Sequence, residues 1–597
     1  MSYSQDWKGA PMRPVEFHTY SPVVTVKEDG TIYVTDRMPQ PSYPTRVTDA
    51  LEKYAKETPE RVFIADRKGG NGWRTITYGE MLERVRRIAQ YLLDKNLSAE
   101  RPLAILSGND IEHATLGLAA VYAGVAYAPL SPQYSLNGDY TRLKDVLASI
   151  TPGMVYAADA RAFAPAIKAT VPDIPFIADE ATEGAIPFAD LLKTEPTDAV
   201  DAANAEITGD TIAKFLFTSG STGTPKAVIN THRMICANQA AIRQAFSFMK
   251  TEPPVLLDWA PWNHTAAGNK NFYMVMTNGG TLYLDDGRPT KAEIGKTVRN
   301  LKEVSPTWYF NVPTGFDMLI PELQKDVELR RNFFRNLRML WYAGASLSQP
   351  SWEALEQLAV DTTGGRVLIG AGLGATETAP AALFCTWPQE GAGNVGLPVP
   401  GVTLKLVTYE GKYDARVKGD NITPGYWRQQ KLTADAFDEE GFYRLGDALL
   451  PIDVDDFSKG FKFDGRTAEN FKLDTGTWVS TGALRMQIID HFGELIRDVA
   501  LTAPDKPYLG AIVFPRDPDL ADDAALREKL REKLVSLAER SSGSSNRVVR
   551  MIIAKEPPSM AAGEVTDKGS INQRAVLRNR ADLVEEIYAG SDRVISV

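Results

Sequence analysis

From Tyr43 to about Leu450, short apolar runs alternate with longer segments whose apolar residues recur at helical spacing. No other property of the sequence narrows the fold as far. Strands covered on both faces read as continuous apolar runs, and parallel neighbours need a crossover, usually a helix, between them. The runs predict strands at Leu103–Leu106, Met154–Ala157, Pro175–Ala178, Lys214–Phe217, Val255–Trp259, Thr281–Leu284, Thr307–Phe310, Met339–Tyr342 and Val367–Ile369. Helical spacing predicts Arg46–Lys56 and Tyr78–Leu93. Several runs end at Gly, Ser, Asn or Pro, the residues that stop strands. The expectation is an α/β chain of parallel-type sheets covered by helices, with ligands beyond the carboxyl ends of the strands.

The flanks differ. Residues 1 to about 45 are polar and proline-rich, with a hairpin-like piece at Val23–Val34. Near residue 400 shorter, more twisted strands begin, at Leu404–Val407 and on through Trp427, and suggest a small β-barrel-like subdomain. After Asp464 comes a smaller α+β unit with strands at Asp498–Leu501 and Ala511–Phe514. It carries a helix over Ala524–Arg540 marked by Leu526, Leu530, Leu534 and Leu537, a loop at Ser541–Ser545, and a helix over Gln573–Tyr588. The domains are therefore expected at 1–463 and 464–597. One core for 597 residues is excluded by surface-to-volume scaling.

Composition removes several functions. The net charge is 66 − 76 = −10, which disfavours a nucleic-acid partner. The two cysteines, Cys236 and Cys385, frame no disulfide scaffold and read as small apolar fillers. The histidines are scattered, with no metal-binding spacing. Residues Met1 to Pro14 lack the apolar region of a secretory signal, and the apolar stretch Leu116–Leu130 is 15 residues long, short of the roughly 20 a membrane helix needs. It reads as a buried helix running into a strand. The expectation is a cytoplasmic protein with no membrane partner, monomeric or homodimeric.

The densest chemistry follows the strand at Lys214–Phe217. Thr218 to Lys226 hold five hydroxyls (Thr218, Ser219, Ser221, Thr222, Thr224), two glycines (Gly220, Gly223) and one lysine (Lys226). Glycines let backbone N–H groups approach a ligand, hydroxyls add donors, and a lysine adds a point charge. Such a loop suits a polyphosphate, although it lacks the adjacent Gly-Lys of a Walker A loop. The plainer alternative is a Ser/Gly turn. His232 follows Thr231, a helix cap, and reads as structural.

This loop resembles the phosphate-binding motif of the adenylate-forming superfamily, and four further motifs follow in the family's order. Gly374-Ala-Thr-Glu377 looks like the glycine–x–Thr–Glu motif; the resemblance implies that Thr376 contacts a phosphoryl group and that Glu377 holds Mg2+. Tyr342-Ala-Gly-Ala-Ser346 resembles the segment lining the adenosine and acyl sites, giving Ala343, Gly344, Ala345 and Ser346. Gly372, Leu373, Gly374 and Ala375 would complete the adenine side, with Leu373 where the family often has an aromatic residue. Gly425-Tyr-Trp followed by Tyr443-Arg-Leu-Gly-Asp447 implies ribose binding by Asp447. Phe463-Asp-Gly-Arg466 resembles the interdomain hinge, making Asp464 the hinge residue, Arg466 a nucleotide contact and the small domain mobile.

By the same likeness Lys568 is the adenylation lysine, although here it precedes the glycine of its motif, and Lys472 serves the thioester-forming state. Gly476 and Trp478 would border the CoA arm, and His264 would gate the acyl pocket. Pocket residues would be His264, Tyr309, Ala343, Gly344, Gly370, Ala371 and Gly372. The segments Gly465–Ser480 and Thr566–Ala575 look like bacterial feruloyl-CoA synthetases. The resemblance implies an ATP-dependent ligase that joins ferulate, coumarate or caffeate to CoA through acyl-AMP. ATP and CoA would be co-substrates and Mg2+ the cofactor. The alternatives are another aryl- or fatty-acyl-CoA synthetase, an aminoacyl-adenylating module, whose carrier domain would be expected to follow, and a non-catalytic nucleotide-binding relative.

Overall fold

The computed structural model describes residues 7–70, 72–219, 225–409, 412–467, 471–474, 478–502, 506–559, 562–565 and 571–597; the side chains of Ser219, Tyr409, Lys472, Trp478 and Ala483 lie outside the description.

Three sheets build the large body. One has seven strands, in the order Pro225–Thr231, Ile212–Ser219, Tyr127–Pro129, Leu103–Ile105, Met154–Tyr156, Phe176–Ala178 and Ala185–Pro187. All its neighbours are parallel except the first pair, an antiparallel hairpin. A four-stranded sheet runs Val255–Asp258, Thr281–Leu284, Val62–Asp66, Arg74–Thr77. The third, of eleven strands, begins with the parallel set Trp308–Asn311, Met339–Tyr342 and Leu368–Gly374. It continues antiparallel through Ala381–Cys385, Asn394–Pro398, Phe461–Arg466, Tyr443–Pro451, Lys412–Lys418, Thr403–Tyr409, Ile32–Asp36 and Pro22–Val26. The twisted strands expected after residue 400 are thus hydrogen-bonded into the same sheet as the parallel strands. The N-terminal hairpin joins them through Ile32–Asp36 against Thr403–Tyr409.

Local chemistry explains the helices. Thr77 and Glu80 form a reciprocal capping box that starts Tyr78–Asp94, whose Tyr78, Met81, Val85, Ile88 and Leu92 face the core. The apolar stretch from Leu116 is the buried helix Ile111–Tyr122, capped by Asp110 and followed by the buried strand Tyr127–Pro129. Among the described residues no helix is long and apolar enough to cross a membrane.

The small unit has its own sheet, Ile496–Thr502, Leu509–Pro515, Val548–Ile553 and Ile595–Ser596. Its own apolar cluster includes Leu526, Leu530, Leu534 and Leu537 of the helix Ala524–Glu539. The helix expected over Gln573–Tyr588 is split into Gln573–Asn579 and Ala581–Ala589. The break falls at Arg580, whose backbone lies at φ −117° and ψ 38° and whose guanidinium reaches Glu564 at 2.7 Å and the carbonyls of Glu556 and Pro557.

Candidate active site

The hairpin Ile212–Ser219/Pro225–Thr231 pairs Thr218 with Lys226 and Ser219 with Pro225, so the two ends of the hydroxyl-rich loop stand side by side. Gly220, Ser221, Thr222, Gly223 and Thr224 lie outside the described residues. Lys226 extends its ammonium over the ring of Tyr426, 5.2 Å from the centroid. The phenol of Tyr426 donates to Glu377 Oε1 at 2.9 Å and lies 3.4 Å from the phenol of Tyr443. Lys226, Tyr426, Glu377 and Tyr443 therefore form one array, with Glu377 only 7% exposed. Burial first, and the Glu377 charge second, raise both phenols well above their ordinary range, so they stay protonated as donors.

Backbone bonds fix this array. Ile229 N–H donates to Gly425 O, Trp427 N–H to Ala227 O and Thr423 N–H to Glu377 O, lacing the 423–427 segment across the hairpin and the Glu377 turn. Sequence reading quoted Gly425-Tyr-Trp as a motif without giving Tyr426 a role. Its phenol is the group that ties the lysine and the carboxylate together.

Glu377 and Thr376 stand in a single turn beyond Leu368–Gly374. Thr378 Oγ1 accepts from Ala375 N–H at 2.9 Å and so tightens the turn. The strand is closely approached: a Cβ on Gly374 would lie 1.7 Å from Pro380 O, and one on Gly372 2.5 Å from Leu383 O. Gly370 and Gly372 pack against Trp341, while Ala371 is buried and Leu373 half-buried. Ala343, Gly344, Ala345 and Ser346 form the loop that follows Met339–Tyr342, with Gly344 at φ +90°.

Asp447 and Arg466 are register partners, and Arg466 Nε lies 3.0 Å from Asp447 Oδ1. Asp464 is buried on the same strand. Lys412 Nζ meets its Oδ2 at 2.5 Å and also bonds Ser480 Oγ, which lies 3.3 Å from both carboxylate oxygens. This trio links the eleven-stranded sheet to the first residue before the helix Thr481–Phe492. Lys472 and Trp478 are register partners in a short antiparallel ladder. Gly476 and Lys568 lie outside the described residues. The residues flanking the Lys568 segment, Val565 and Ile571, are bridged antiparallel.

His264 donates its N–H to Pro261 O, and its carbonyl accepts from Ala267 and Gly268 at the start of the π-helical turn Ala266–Asn271. Successive strand residues face opposite sides, and Tyr309 packs on Phe316 and Phe333 in the helical layer. Trp308 and Phe310 face the other way, toward Lys270. Sequence reading passed over Lys270 and Lys214. Lys214 is fully buried and donates to Gly268 O at 2.7 Å.

A carboxylate cluster elsewhere, Asp110, Glu112 and Asp179, has ligand atoms within 4.8 Å of one another. Lys68 bonds all three and Arg74 bonds Glu112, so cations of the chain already hold its centre. For magnesium the better donor is Glu377, a hard oxygen anion oriented by Tyr426, since magnesium is commonly held by one or two carboxylates together with substrate phosphates.

Comparison with known proteins places this geometry in context. A family model described as "AMP-binding enzyme" matches residues 51–427, and one described as "AMP-binding enzyme C-terminal domain" matches residues 472–592. The chain is 23% identical to a carboxylic acid reductase of Mycobacterium marinum, over 86% of this chain and 46% of that protein. It is 25% identical to a 4-hydroxybenzoate–CoA/benzoate–CoA ligase of Rhodopseudomonas palustris, over 79% of this chain and 86% of that protein. It thus spans about half the length of the curated reductases it matches. A solved anthranilate CoA ligase, AuaEII, in complex with anthranoyl-AMP, shares the fold, with a TM-score of 0.74 at 19% identity over 92% of this chain and 99% of that one.

Proposed function

The chain belongs to the AMP-binding enzyme family, and from that premise we propose that it is an ATP-dependent acid–thiol ligase that converts a hydroxycinnamate, ferulate ahead of coumarate and caffeate, to its CoA thioester. The observation that carries the ligase reading is the Lys226–Tyr426–Glu377 array at the mouth of the hydroxyl-rich loop. A carboxylate meeting a triphosphate is a repulsive encounter, so the site must hold positive charge and donors before the acid arrives. In the first step a carboxylate oxygen bonds the α-phosphorus and the bond to pyrophosphate breaks. Lys226 and the loop hydroxyls hold the departing pyrophosphate, Thr376 contacts a phosphoryl oxygen, and Asp447 takes the ribose. Magnesium, when bound on Glu377, supplies charge neutralisation. In the second step the CoA sulfur bonds the acyl carbon and AMP leaves, with no protein nucleophile required.

Lys568 serves the first step and Lys472 and Gly476 the second, and the small unit turns about Asp464 between them. The ferulate assignment rests on the likeness of Gly465–Ser480 and Thr566–Ala575 to bacterial feruloyl-CoA synthetases. The benzoate-type ligase among the relatives supports an aryl acid. A second reading follows from the reductase relatives: activation of the acid as acyl-AMP for a fate other than a CoA thioester.

Ferulate, ATP, magnesium and CoA, followed in the ultraviolet, should give thioester. Absence of thioester with every hydroxycinnamate sinks the substrate assignment. Ferulate-dependent pyrophosphate exchange without any CoA thioester favours the second reading. Lys568→Ala should abolish the exchange and spare thioesterification of supplied feruloyl-AMP.

A further inference from the structure

Lys270 is an anomaly of placement. It lies in the π-helical turn Ala266–Asn271, and the residue is 2% exposed. Four rings surround its ammonium: Trp341 at 4.5 Å, Trp308 at 4.8 Å, Phe310 at 5.5 Å and Phe384 at 5.9 Å from their centroids. Among the described residues no hydrogen-bond acceptor reaches Nζ. The contrast with Lys214, one layer away and donating to Gly268 O, shows what a settled buried lysine looks like here. The ring faces offset part of the cost of burying this ammonium, and a hydrogen-bond acceptor or loss of its proton relieves the rest. Burial brings the amine down to about 7, against a smaller upward pull from Asp258.

Its surroundings lead to the acyl segments. Trp341 and Phe384 are the rings against which Gly372 packs, and Trp341 also touches Gly370. The turn that carries Lys270 begins two residues after His264. A single amine surrounded by apolar rings offers the composition that suits a planar ring bearing one polar oxygen.

We propose that Lys270 determines specificity by meeting, with its ε-amine, the phenolic oxygen of the substrate ring inside the Trp308–Phe310–Trp341–Phe384 cage. This inference rests on the ligase reading above. A neutral amine accepts the phenol's hydrogen bond, whereas an ammonium can only donate to the phenol oxygen, so the recognition changes as the amine gains or loses its proton. A ring lacking that oxygen leaves the amine unpartnered, and a site built around a polar group discriminates strongly against an analogue that lacks it. The charged group facing Lys270 is Asp258, with Asp285 behind it on the neighbouring strand; Trp308–Asn311, Met339–Tyr342 and Ala381–Cys385 present rings, and Gln239 binds only the carbonyls of residues 269 and 270.

The test compares 4-hydroxycinnamate, ferulate, 4-methoxycinnamate and cinnamate in acid-dependent pyrophosphate exchange, for the wild type and Lys270→Met, an apolar replacement of similar length. The wild type should prefer 4-hydroxycinnamate to cinnamate by at least about tenfold in kcat/KM, and Lys270→Met should bring that ratio near one while keeping activity on cinnamate. An unchanged ratio overturns the inference and leaves the ligase reading standing. A wild type that activates no cinnamate, but activates another acid, overturns the hydroxycinnamate reading itself. A distal dicarboxylic acid whose advantage vanishes in Lys270→Met overturns the phenol in favour of a carboxylate partner. Should Lys270→Met not fold, the wild type alone decides. The KM ratio of 4-hydroxycinnamate to cinnamate should change between about pH 6 and pH 8, across the amine's titration. A flat ratio overturns the proposal.

Discussion

Tyr426 donates to one oxygen of Glu377 and lies beneath the ammonium of Lys226, so one phenol orients both signs of charge at the site. Removing that hydroxyl leaves a buried carboxylate short of a donor, a loss of about 1.5–3 kcal/mol for a bond to a charged group. Tyr426→Phe should therefore slow ATP–pyrophosphate exchange about 10- to 100-fold and raise the magnesium concentration needed for half-maximal rate; an unaltered magnesium dependence would show that the phenol does not orient this carboxylate. His232 makes a different kind of prediction. It is fully buried, accepts from Val47 N–H at 3.2 Å, and is lowered to about 4 chiefly by burial, from an ordinary 6.5. The unfolded chain thus binds this proton more readily than the folded one. Its contribution is complete above pH 6.5 and is lost as pH falls toward 4, by about 3 kcal/mol. Urea midpoints should fall over that window, and His232→Gln, which keeps a neutral acceptor, should flatten the fall.

At the scale of elements, legibility followed burial pattern. The strands Thr281–Leu284 and Met339–Tyr342 have the bounds their apolar runs predict: the first alternates buried with half-buried residues, and the second is covered on both faces and so is apolar throughout. The same property hid which way Tyr309 points: all four residues of Trp308–Asn311 are buried, so no alternation marks its faces. The split at Arg580 was illegible because the partners of its side chain, Glu564 among them, lie outside the helical run. Lys270 left only a faint trace, a single charge beside the apolar run Phe272–Met276. Residues in the phosphate and turn motifs were legible as types, since glycine and hydroxyl spacing is local, whereas the Tyr426 bond joins segments 49 positions apart. Close approach makes the strand Leu368–Gly374 intolerant. In Gly374→Ala the new methyl would meet Pro380 O, so the variant should lose at least about 1–3 kcal/mol in chemical denaturation, where a surface Gly→Ala would be nearly silent.

Over the whole molecule, the large and small units are joined through Lys412, Asp464 and Ser480. Removing the cation takes from the buried Asp464 carboxylate its charge partner, which weakens this polar clasp at the junction. Lys412→Ala should therefore be cut several-fold faster than wild type by protease at the segment after Arg466, with the fragments retaining their own cores. Equal cleavage rates would show that the clasp does not restrain the junction. The pairing of Ile32–Asp36 with Thr403–Tyr409 has a consequence for how the chain comes to be made. On the ribosome the N-terminal hairpin emerges long before its sheet partner exists, so it must wait, unpaired, through the synthesis of almost the entire large body. The eleven-stranded sheet can close only late in translation, and a chain trimmed of its first forty residues would finish with the backbone edge of Thr403–Tyr409 open, a template for association with other nascent copies.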